Sequence, residues 1–177
     1  MITKKAHAKL NLSIDVTGKR ENGYHDIKTL MVMTDLYDEM KFSKSDKLEI
    51  LGDFDFDMKE NFIYKAYLAL RDYVDKDLPF KVEIEKNIPM AGGLAGGTSN
   101  GAGTFYVLND LYDLKIPKKD LIKLSSSLGA DFTYMMTGGT KLASGIGEIL
   151  EEVRPIELDK VLVVNPGYGV STKAVSY

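Results

Sequence analysis

Cysteine is absent from this sequence, and so is tryptophan. Without cysteine the chain can form neither disulfides nor thiolate metal sites, which excludes zinc fingers and suits the cytoplasm, where we expect the protein to be located. No apolar run approaches the roughly 18 residues that a membrane-spanning helix needs. The first residues, MITKKAHAKLN, also lack the apolar core of a signal peptide. We therefore expect a soluble protein that carries no targeting segment and binds no membrane.

A basic excess is missing as well. The 23 lysine and arginine residues are outnumbered by 26 aspartate and glutamate residues, which gives a net charge of −3. Because domains that bind nucleic acids usually present a basic surface, we expect no nucleic acid partner. The length of 177 residues is enough for one domain with a core that needs no disulfides.

Alternating apolar and polar residues predict several strands. In residues 8–16 the apolar side chains from Leu10 to Val16 alternate with polar ones, which predicts a strand with one buried face and with Lys9 and Asn11 on the opposite face. An Asn-Gly turn signal at 22–23 and the apolar run 28–36 predict an antiparallel partner strand. Further strands are predicted at 39–43, 47–51, 80–85, 140–148 and 160–167.

Apolar residues at helical spacing predict helices over 60–75, 99–114 and 118–131, with Gly129 ending the third. Gly101 and Gly103 lie inside the second helix and weaken it by roughly 1 kcal/mol each relative to alanine, so we expect another part of the chain to approach it closely. Strands and helices mix without a strict βαβ alternation, which favours the α+β class.

The stretch IPMAGGLAGGTSN, residues 88–100, contains four glycines between a predicted strand and a predicted helix. Backbone N–H groups of such a turn, together with the N-terminus of the helix, form a site for phosphate. Thr98 or Ser99 can cap the helix or turn a hydroxyl toward a metal bound to phosphate. The alternative is a turn that only lets strand and helix pack closely. The stretch matches neither the P-loop, which ends in Gly-Lys-Ser/Thr, nor the dinucleotide pattern G-x-G-x-x-G.

Three motifs carry a resemblance to a known superfamily. PMAGGLAGGTS, residues 89–99, resembles the phosphate loop of the galactose, homoserine, mevalonate and phosphomevalonate (GHMP) kinases, P-x-x-x-G-L-x-S/G-S/T-S. AKLNLSIDVTGKRENGYHDIKTLM, residues 8–31, is similar to the opening of the 4-diphosphocytidyl-2-C-methyl-D-erythritol kinases within it, with A-K-x-N-L, T-G-x-R and D/N-G-Y-H in order. LGADFTYMMTGGTKLASGIGE, residues 128–148, resembles the third motif of that branch, but has Thr-Tyr-Met at 133–135 where the branch has Pro-Phe-Phe.

The resemblance implies the GHMP kinase N-terminal fold, which is like domain 2 of ribosomal protein S5 and packs a mixed or antiparallel sheet against helices. It implies an ATP-binding N-terminal domain over 1–155 and the start of a C-terminal domain over 156–177, the rest of which the chain lacks. It also implies that ATP and Mg²⁺ serve to phosphorylate the 2-hydroxyl of 4-diphosphocytidyl-2-C-methyl-D-erythritol, a step of the non-mevalonate route to isoprenoids.

Residue by residue, the resemblance implies that Lys9 and Asp131 are the catalytic pair. It implies that Asn11, Tyr24 and His25 lie on the cytidine side of the substrate. Thr172 and Tyr177 would add substrate contacts, and Ser99 would offer its hydroxyl to the metal. The ATP phosphates would be held by Pro89, Met90, Ala91, Gly92, Gly93, Leu94, Ala95, Gly96, Gly97, Thr98 and Ser99.

Each of these assignments has a simpler alternative. Phosphoryl transfer to an alcohol needs alignment, charge neutralisation and an acceptor for the hydroxyl proton, which are roles for a lysine and a carboxylate. From the residues alone, Asp131 is equally a helix cap or turn carboxylate, and Lys9 a surface lysine. Tyr24 and His25 are equally a tyrosine packed under a hairpin and a solvated histidine.

Two other functions also stay open. One is another GHMP small-molecule kinase of the mevalonate or homoserine type, which the D/N-G-Y-H segment disfavours. The other is a noncatalytic nucleotide- or RNA-binding module of the same fold, which the net charge disfavours. We expect a small-molecule substrate in either kinase, and a homodimer stays open as the assembly.

Overall fold

A computed structural model describes residues 1–21, 23–54, 56–156 and 158–165. Within this part of the chain, six strands form one mixed sheet, and four α-helices and a 3-10 turn at Met58–Glu60 accompany it. The strands are β1 (Ile2–Lys19), β2 (His25–Lys44), β3 (Glu49–Leu51), β4 (Phe80–Glu85), β5 (Lys141–Ser144) and β6 (Ile149–Glu152). The helices are α1 (Phe62–Val74), α2 (Gly96–Leu111), α3 (Lys118–Ser126) and α4 (Ala130–Thr137). The α+β prediction is confirmed.

The long strand β2 organises the sheet. The strand order is β3-β4-β2-β5-β6, and β1 also pairs with β2. The β1–β2 pairing is antiparallel, with Leu10 opposite Val32 and Ile14 opposite Thr29, which confirms the predicted hairpin. Only β3 and β4 run parallel within the described sheet, and the predicted strand 39–43 is the second half of β2.

The buried face of β1 differs from the predicted one. Leu12, Ile14 and Val16 are 39%, 60% and 67% exposed, whereas Lys9 is 7% exposed. A register shift between His7 and Lys9 breaks the alternation, so that neighbouring residues are buried there together. Helix α2 packs against the first part of β1 and leaves the far part of the hairpin outside the core. The prediction that Lys9 lies on an exposed face was therefore wrong.

The glycines of α2 mark close packing, as predicted. A Cβ on Gly101 would lie 2.9 Å from the Phe132 ring and 3.0 Å from Cβ of Phe62, and one on Gly103 would lie 3.3 Å from Cγ of Lys4. The Phe132 ring also meets the rings of Phe62 and Phe105 at centroid distances of 5.2 and 6.4 Å. This aromatic cluster joins α1, α2 and α4, and it fixes the start of α4.

Helix α4 was not predicted. Helix α3 ends at Ser126, and Gly129 is the N-cap residue of α4 rather than the end of α3. Its sequence, ADFTYMMT, buries Phe132, Tyr134, Met135 and Met136, so it lacks the polar face that reveals a surface helix. The buried Tyr134 hydroxyl donates to the carbonyl of Gly139 at 2.6 Å, and burial raises the pKa of this phenol.

The last predicted strand does not form where the structure describes it. Residues 160–165 contain no strand, and Leu162 and Val164 are 88% and 79% exposed. The apolar run has no neighbouring strand among the described residues, so its composition alone does not produce one. Strand β6, which pairs with β5, was not predicted. No helix in the described part of the chain is both long and apolar enough to cross a membrane.

Candidate active site

An open cavity of about 630 Å³ lies against the glycine stretch. It brings together Lys9, Asp131 and most of the predicted phosphate-binding residues, which come from β1, α4 and the turn before α2. Its lining residues are Lys9, Phe54, Phe56, Glu60, Asn61, Phe62, Lys86, Ile88, Pro89, Met90, Ala91, Gly92, Gly93, Leu94, Ala95, Gly96, Gly97, Thr98, Asn100 and Asp131.

Residues 89–95, which we call the glycine loop, take an unusual backbone path. Ala91, Gly93 and Ala95 have φ angles of 54°, 72° and 55°, in the left-handed region that disfavours residues with a Cβ. A Cβ on Gly96 would lie only 2.8 Å from Cγ2 of Ile88, so the loop returns close to the residue that precedes it. The chain therefore curls back on itself between β4 and α2.

Helix α2 starts at the cavity wall. Gly96, Gly97 and Thr98 form its beginning and line the cavity, and the first N–H groups of a helix have no acceptor inside the helix. Ala95 is the N-cap residue and gives no side-chain cap, so of the two roles considered for Thr98 and Ser99, a helix cap or a hydroxyl contact to a metal, the cap does not occur. These N–H groups and the partial positive charge of the helix end suit an anion in the cavity.

Lys9 connects the glycine loop with Asp131. Its backbone N–H donates to the carbonyl of Leu94 at 3.0 Å. Its Nζ donates to Oδ1 of Asn11 at 2.6 Å and lies 3.7 Å from Oδ2 of Asp131. Asn11 in turn donates to the hydroxyl of the buried Thr29 at 2.6 Å. The ammonium group is thus held in place by a chain of hydrogen bonds from the β1–β2 ribbon.

Asp131 lies in the first turn of α4, where the helix dipole favours a negative charge. Its side chain is 38% exposed, whereas that of Lys9 is 8% exposed. The carboxylate can therefore accept a proton from a ligand in the cavity while the lysine offsets negative charge beside it. The expectation that both residues share one site agrees with this geometry.

Asn61 is a cavity residue that the sequence did not reveal. It is the N-cap of α1, and its Oδ1 accepts from the N–H of Ile63 at 2.9 Å. The residue is 4% exposed, and its Nδ2 has no hydrogen-bond partner among the described residues. A buried amide without a partner costs stability unless a ligand or water satisfies it. An asparagine before an apolar helical run signals a cap, but only the fold shows that this residue also lines the cavity.

Two more features of the cavity were missed. The rings of Phe54 and Phe56 lie edge to face at 5.6 Å between centroids and form an apolar part of the wall. Lys86 lines the cavity directly before the glycine loop, and its side chain is 12% exposed. Its Nζ lies 2.5 Å from Oδ2 of Asp38 and donates to Oδ1 of Asn100 at 2.9 Å. A lysine thus accompanies the loop although the loop contains none.

The other predicted site residues that the structure describes do not line this cavity. Tyr24 and His25 lie at the turn of the β1–β2 hairpin, with His25 opposite Lys19 and Tyr24 60% exposed. Ser99 is buried and is not among the lining residues. Thr172 and Tyr177 lie outside the described residues. The described residues also contain no cluster of three or more His, Cys, Asp or Glu side chains that could hold a metal ion by itself.

Comparison with known sequences identifies close relatives. Residues 61–146 match the family described as GHMP kinases N terminal domain. The chain is 42% identical to the 4-diphosphocytidyl-2-C-methyl-D-erythritol kinase of Caldanaerobacter subterraneus subsp. tengcongensis, over 97% of this chain and 60% of that protein. It is 41% identical to the kinase of the same name from Clostridium botulinum (strain Eklund 17B / Type B), over 97% of this chain and 62% of that protein. The chain thus spans about three-fifths of the length of these relatives.

Solved structures share the fold. A crystal structure of 4-(cytidine 5'-diphospho)-2C-methyl-D-erythritol kinase matches with a TM-score of 0.75 and 30% identity, over 89% of this chain and 56% of that chain. The Methanococcus jannaschii mevalonate kinase matches with a TM-score of 0.64 at 16% identity, over 86% of this chain and 56% of that chain, which shows a common fold alone. The chain therefore carries a domain with the fold of the GHMP kinase N-terminal domain, and residues 61–146 match that family.

Proposed function

We propose that this protein transfers the γ-phosphoryl group of ATP to the 2-hydroxyl of 4-diphosphocytidyl-2-C-methyl-D-erythritol. The observation that carries the proposal is the 3.7 Å approach of Lys9 Nζ to Asp131 Oδ2 in a cavity that the glycine loop also lines. The names of the relatives support the choice of substrate. The reaction belongs to the non-mevalonate route to isoprenoids, and the absence of cysteine suits the cytoplasm as its location.

The glycine loop and the start of α2 would hold the phosphates of ATP. Gly96, Gly97 and Thr98 line the cavity at the start of α2, where N–H groups lack an acceptor within the helix, and backbone donors can bind an anion without a lysine in the loop. The unpartnered Nδ2 of Asn61 offers a donor to the base or sugar, and Phe54 and Phe56 offer an apolar surface to the purine. Polar donors and an apolar wall together suit a nucleotide.

Asp131 would act as the general base. As the oxygen of the substrate hydroxyl forms a bond to the γ-phosphorus, its proton passes to the Asp131 carboxylate, and the bond between the γ-phosphorus and the bridging oxygen breaks to release ADP. The ammonium of Lys9 would offset the negative charge on the transferring group. Asn11 holds that ammonium at 2.6 Å, so the charge has a fixed position when the phosphate arrives.

The residues of the cavity fit a bound Mg²⁺. When bound, Mg²⁺ neutralises charge on the β- and γ-phosphates. Mg²⁺ is commonly held by one or two carboxylates and by the phosphates themselves, and Glu60 would offer such a carboxylate while Asp131 stays available as the base. Thr98 lines the cavity and Ser99 does not, which supports Thr98 as the residue whose hydroxyl contacts the metal.

The substrate side is proposed from the resemblance. Asn11 contacts Lys9 directly, which supports a role near the acceptor hydroxyl. Tyr24 and His25 would bind the cytosine from the hairpin turn, and Thr172 and Tyr177 would add contacts. We further propose that residues 1–155 are the ATP-binding domain and that residues 156–177 begin the next one.

An assay of ADP release with three alcohols tests the proposal. ATP and Mg²⁺ are supplied with 4-diphosphocytidyl-2-C-methyl-D-erythritol, with mevalonate or with homoserine, and the phosphorylated product is identified by mass spectrometry. We expect turnover with the first acceptor only. Turnover with mevalonate or homoserine would instead support another kinase of the superfamily. RNA binding that weakens with salt, without turnover of any acceptor, would support a noncatalytic module.

A further inference from the structure

A buried carboxylate on β2 has no place in the proposed chemistry. Asp38 is completely buried, and it is not among the residues that line the cavity. Its Oδ1 accepts from the backbone N–H groups of Asn87 and Ile88 at 2.8 and 2.9 Å. Its Oδ2 accepts from Nζ of Lys86 at 2.5 Å and from Nδ2 of Asn100 at 2.9 Å. Four donors therefore converge on one carboxylate.

These donors lie on both sides of the glycine loop. Lys86, Asn87 and Ile88 directly precede residue 89, whereas Asn100 lies in α2 directly after the loop. Asp38, which lies in β2, is therefore hydrogen-bonded both to the residues before the loop and to the helix after it. A carboxylate that accepts several hydrogen bonds is a rigid anchor, because each of its oxygens has two acceptor positions.

The loop needs such an anchor because its backbone is strained. Ala91 and Ala95 have left-handed φ angles of 54° and 55°, and a residue with a Cβ in this region costs on the order of 1 kcal/mol. Such strained conformations persist when contacts with the surrounding structure hold the backbone in place. The hydrogen bonds of Asp38 to residues on both sides of the loop are contacts of this kind.

Each hydrogen bond among Asp38, Lys86 and Asn100 has a fixed donor and acceptor. Asn100 donates to Asp38 through Nδ2 and accepts from Lys86 through Oδ1 at 2.9 Å, so three side chains form a closed ring of hydrogen bonds. The positive charge of Lys86 balances the negative charge of Asp38, as a buried ion pair requires. Lys86 donates to positions 38 and 100 alike, so a carboxylate at either position can pair with its charge.

We propose that Asp38 is a positioning residue for the nucleotide phosphates, which acts through Lys86 and Asn100 by holding the glycine loop in its binding conformation. The inference rests on the proposed function, because it assumes that the loop binds ATP. Asp38 touches neither nucleotide nor acceptor, so its effect is on nucleotide affinity.

The first test uses the unaltered chain. Hydrogen exchange measured by NMR should show the amides of Asn87 and Ile88 strongly protected without any nucleotide, because both donate to a buried carboxylate. Exchange of these two amides at the rate of an open loop would overturn the proposal, whatever the behaviour of any variant.

The second test exchanges the carboxylate and the amide. In Asp38→Asn, an amide that keeps the two backbone contacts turns its NH₂ toward the donors of Lys86 and Asn100, and the ring loses its acceptor. We expect affinity for the fluorescent analogue mant-ATP to fall at least ~10-fold, the lower range for an unpaired buried donor. In the double variant D38N/N100D the carboxylate at position 100 accepts from Lys86 and from the amide at position 38, while Lys86 loses its own contact with position 38. We expect affinity within ~3-fold of the unaltered chain, because the charge of Lys86 again has a carboxylate partner.

A control separates positioning from general stability. Asp77 is also a hydrogen-bonded carboxylate, accepting from the Tyr67 hydroxyl at 2.5 Å and the N–H of Leu78 at 3.1 Å, and neither Asp77 nor these donors line the cavity. Asp77→Asn should therefore lower the melting temperature of the protein without lowering its affinity for mant-ATP. All titrations are made below the melting temperature of each variant.

The outcomes distinguish this inference from the proposed function. If the unaltered chain does not bind mant-ATP, both fail. If it binds and Asp38→Asn binds equally tightly, the positioning role of Asp38 is overturned and ATP binding stands. If Asp38→Asn does not fold, the double variant decides, because a folded double variant with weak affinity contradicts the proposal. If that variant also fails to fold, the exchange of the Asn87 and Ile88 amides decides.

Discussion

The backbone N–H of Lys9 donates to the carbonyl of Leu94 at 3.0 Å, so the strand that carries the candidate catalytic lysine is bonded directly to the glycine loop. The same residue reaches Asp131 with its side chain. Its main chain therefore positions the proposed phosphate site and its side chain positions the proposed base. A substitution of the Lys9 side chain removes the second link and preserves the first.

Asp131→Asn tests the proposed base. The amide keeps the shape of the side chain but cannot accept the proton, so we expect turnover to fall at least ~10²-fold, the lower range of general-base contributions. Binding of mant-ATP should be nearly unchanged. Asp113→Asn is the matched control, because Asp113 is 78% exposed and is not among the lining residues. Unchanged turnover of Asp131→Asn would exclude Asp131 as the base.

Asn61 has two separable features, a cap for α1 and a buried, unpartnered amide at the cavity wall, which we propose as a donor to ATP. Asn61→Ser keeps a side-chain acceptor for the cap and removes the amide, so we expect weaker ATP binding with little loss of stability. Asn61→Ala removes both, and its free energy of unfolding should also fall by about 1 kcal/mol. Isothermal titration with ATP and urea unfolding measure the two effects. ATP binding of normal strength by Asn61→Ser would show that the amide does not contact the nucleotide.

Gly96 and Gly97 are neighbours with opposite tolerance for a methyl group. A Cβ on Gly96 would lie 2.8 Å from Cγ2 of Ile88, whereas one on Gly97 would lie 3.4 Å from Cδ2 of Phe62, an ordinary contact. We expect Gly96→Ala to lower the free energy of unfolding by about 1–3 kcal/mol through overpacking. Gly97→Ala should leave it unchanged or raise it, since alanine favours a helix. Equal stability of the two variants in urea unfolding would contradict this packing.

Glu152 gives a prediction for the pH dependence of stability. A hydrogen bond and the charge of Lys141 hold the pKa of Glu152 below its ordinary value of 4.5. A folded-state pKa below the unfolded one means that the pair stabilises the fold above pH 4.5, and that this contribution disappears as the pH falls through the folded pKa. Glu152→Gln should thus have a lower urea midpoint than the unaltered chain at pH 7, and the two midpoints should converge in acid.

The exposed neighbour Glu151 serves as the control for that measurement. Lys141 is buried and pairs with Glu152, so loss of the partner leaves its charge unpaired. Glu151→Gln should show no such difference at either pH. A difference between Glu152→Gln and the unaltered chain that persists in acid would have a cause other than this ion pair.

Local patterns were sufficient for much of the fold. The β1–β2 hairpin, α1, β4 and the glycine loop followed from apolar spacing and turn residues, because these features act over a few neighbouring residues. Helix α4 was missed because it is buried on most sides and has no polar face. The buried position of Lys9 was missed because a register shift at His7 and Lys9 leaves no signal in the alternation.

Site residues that belong to a sequence motif were predicted, and those brought to the site only by tertiary contacts were missed. The sequence motifs singled out Lys9 and Asp131, which the structure brings within 3.7 Å, although their roles stay predictions. Lys86 and Asp38 have no distinguishing pattern of their own, and Asn61 has only the pattern of a helix cap. Their importance comes from what surrounds them, a cavity wall with no partner for the amide of Asn61 and a ring of hydrogen bonds for Lys86 and Asp38. Such relationships depend on tertiary contacts between distant segments.

The uneven register of β1 also bears on how copies of this protein behave together. Among the described residues β1 pairs only with β2, so its other side is an edge that offers backbone groups to a foreign strand. Shifts at three points of the pairing bend that edge, and the bond from Lys9 to Leu94 covers it in the middle. A straight strand from a second molecule cannot follow this path over its length, which protects the domain against edge-to-edge aggregation.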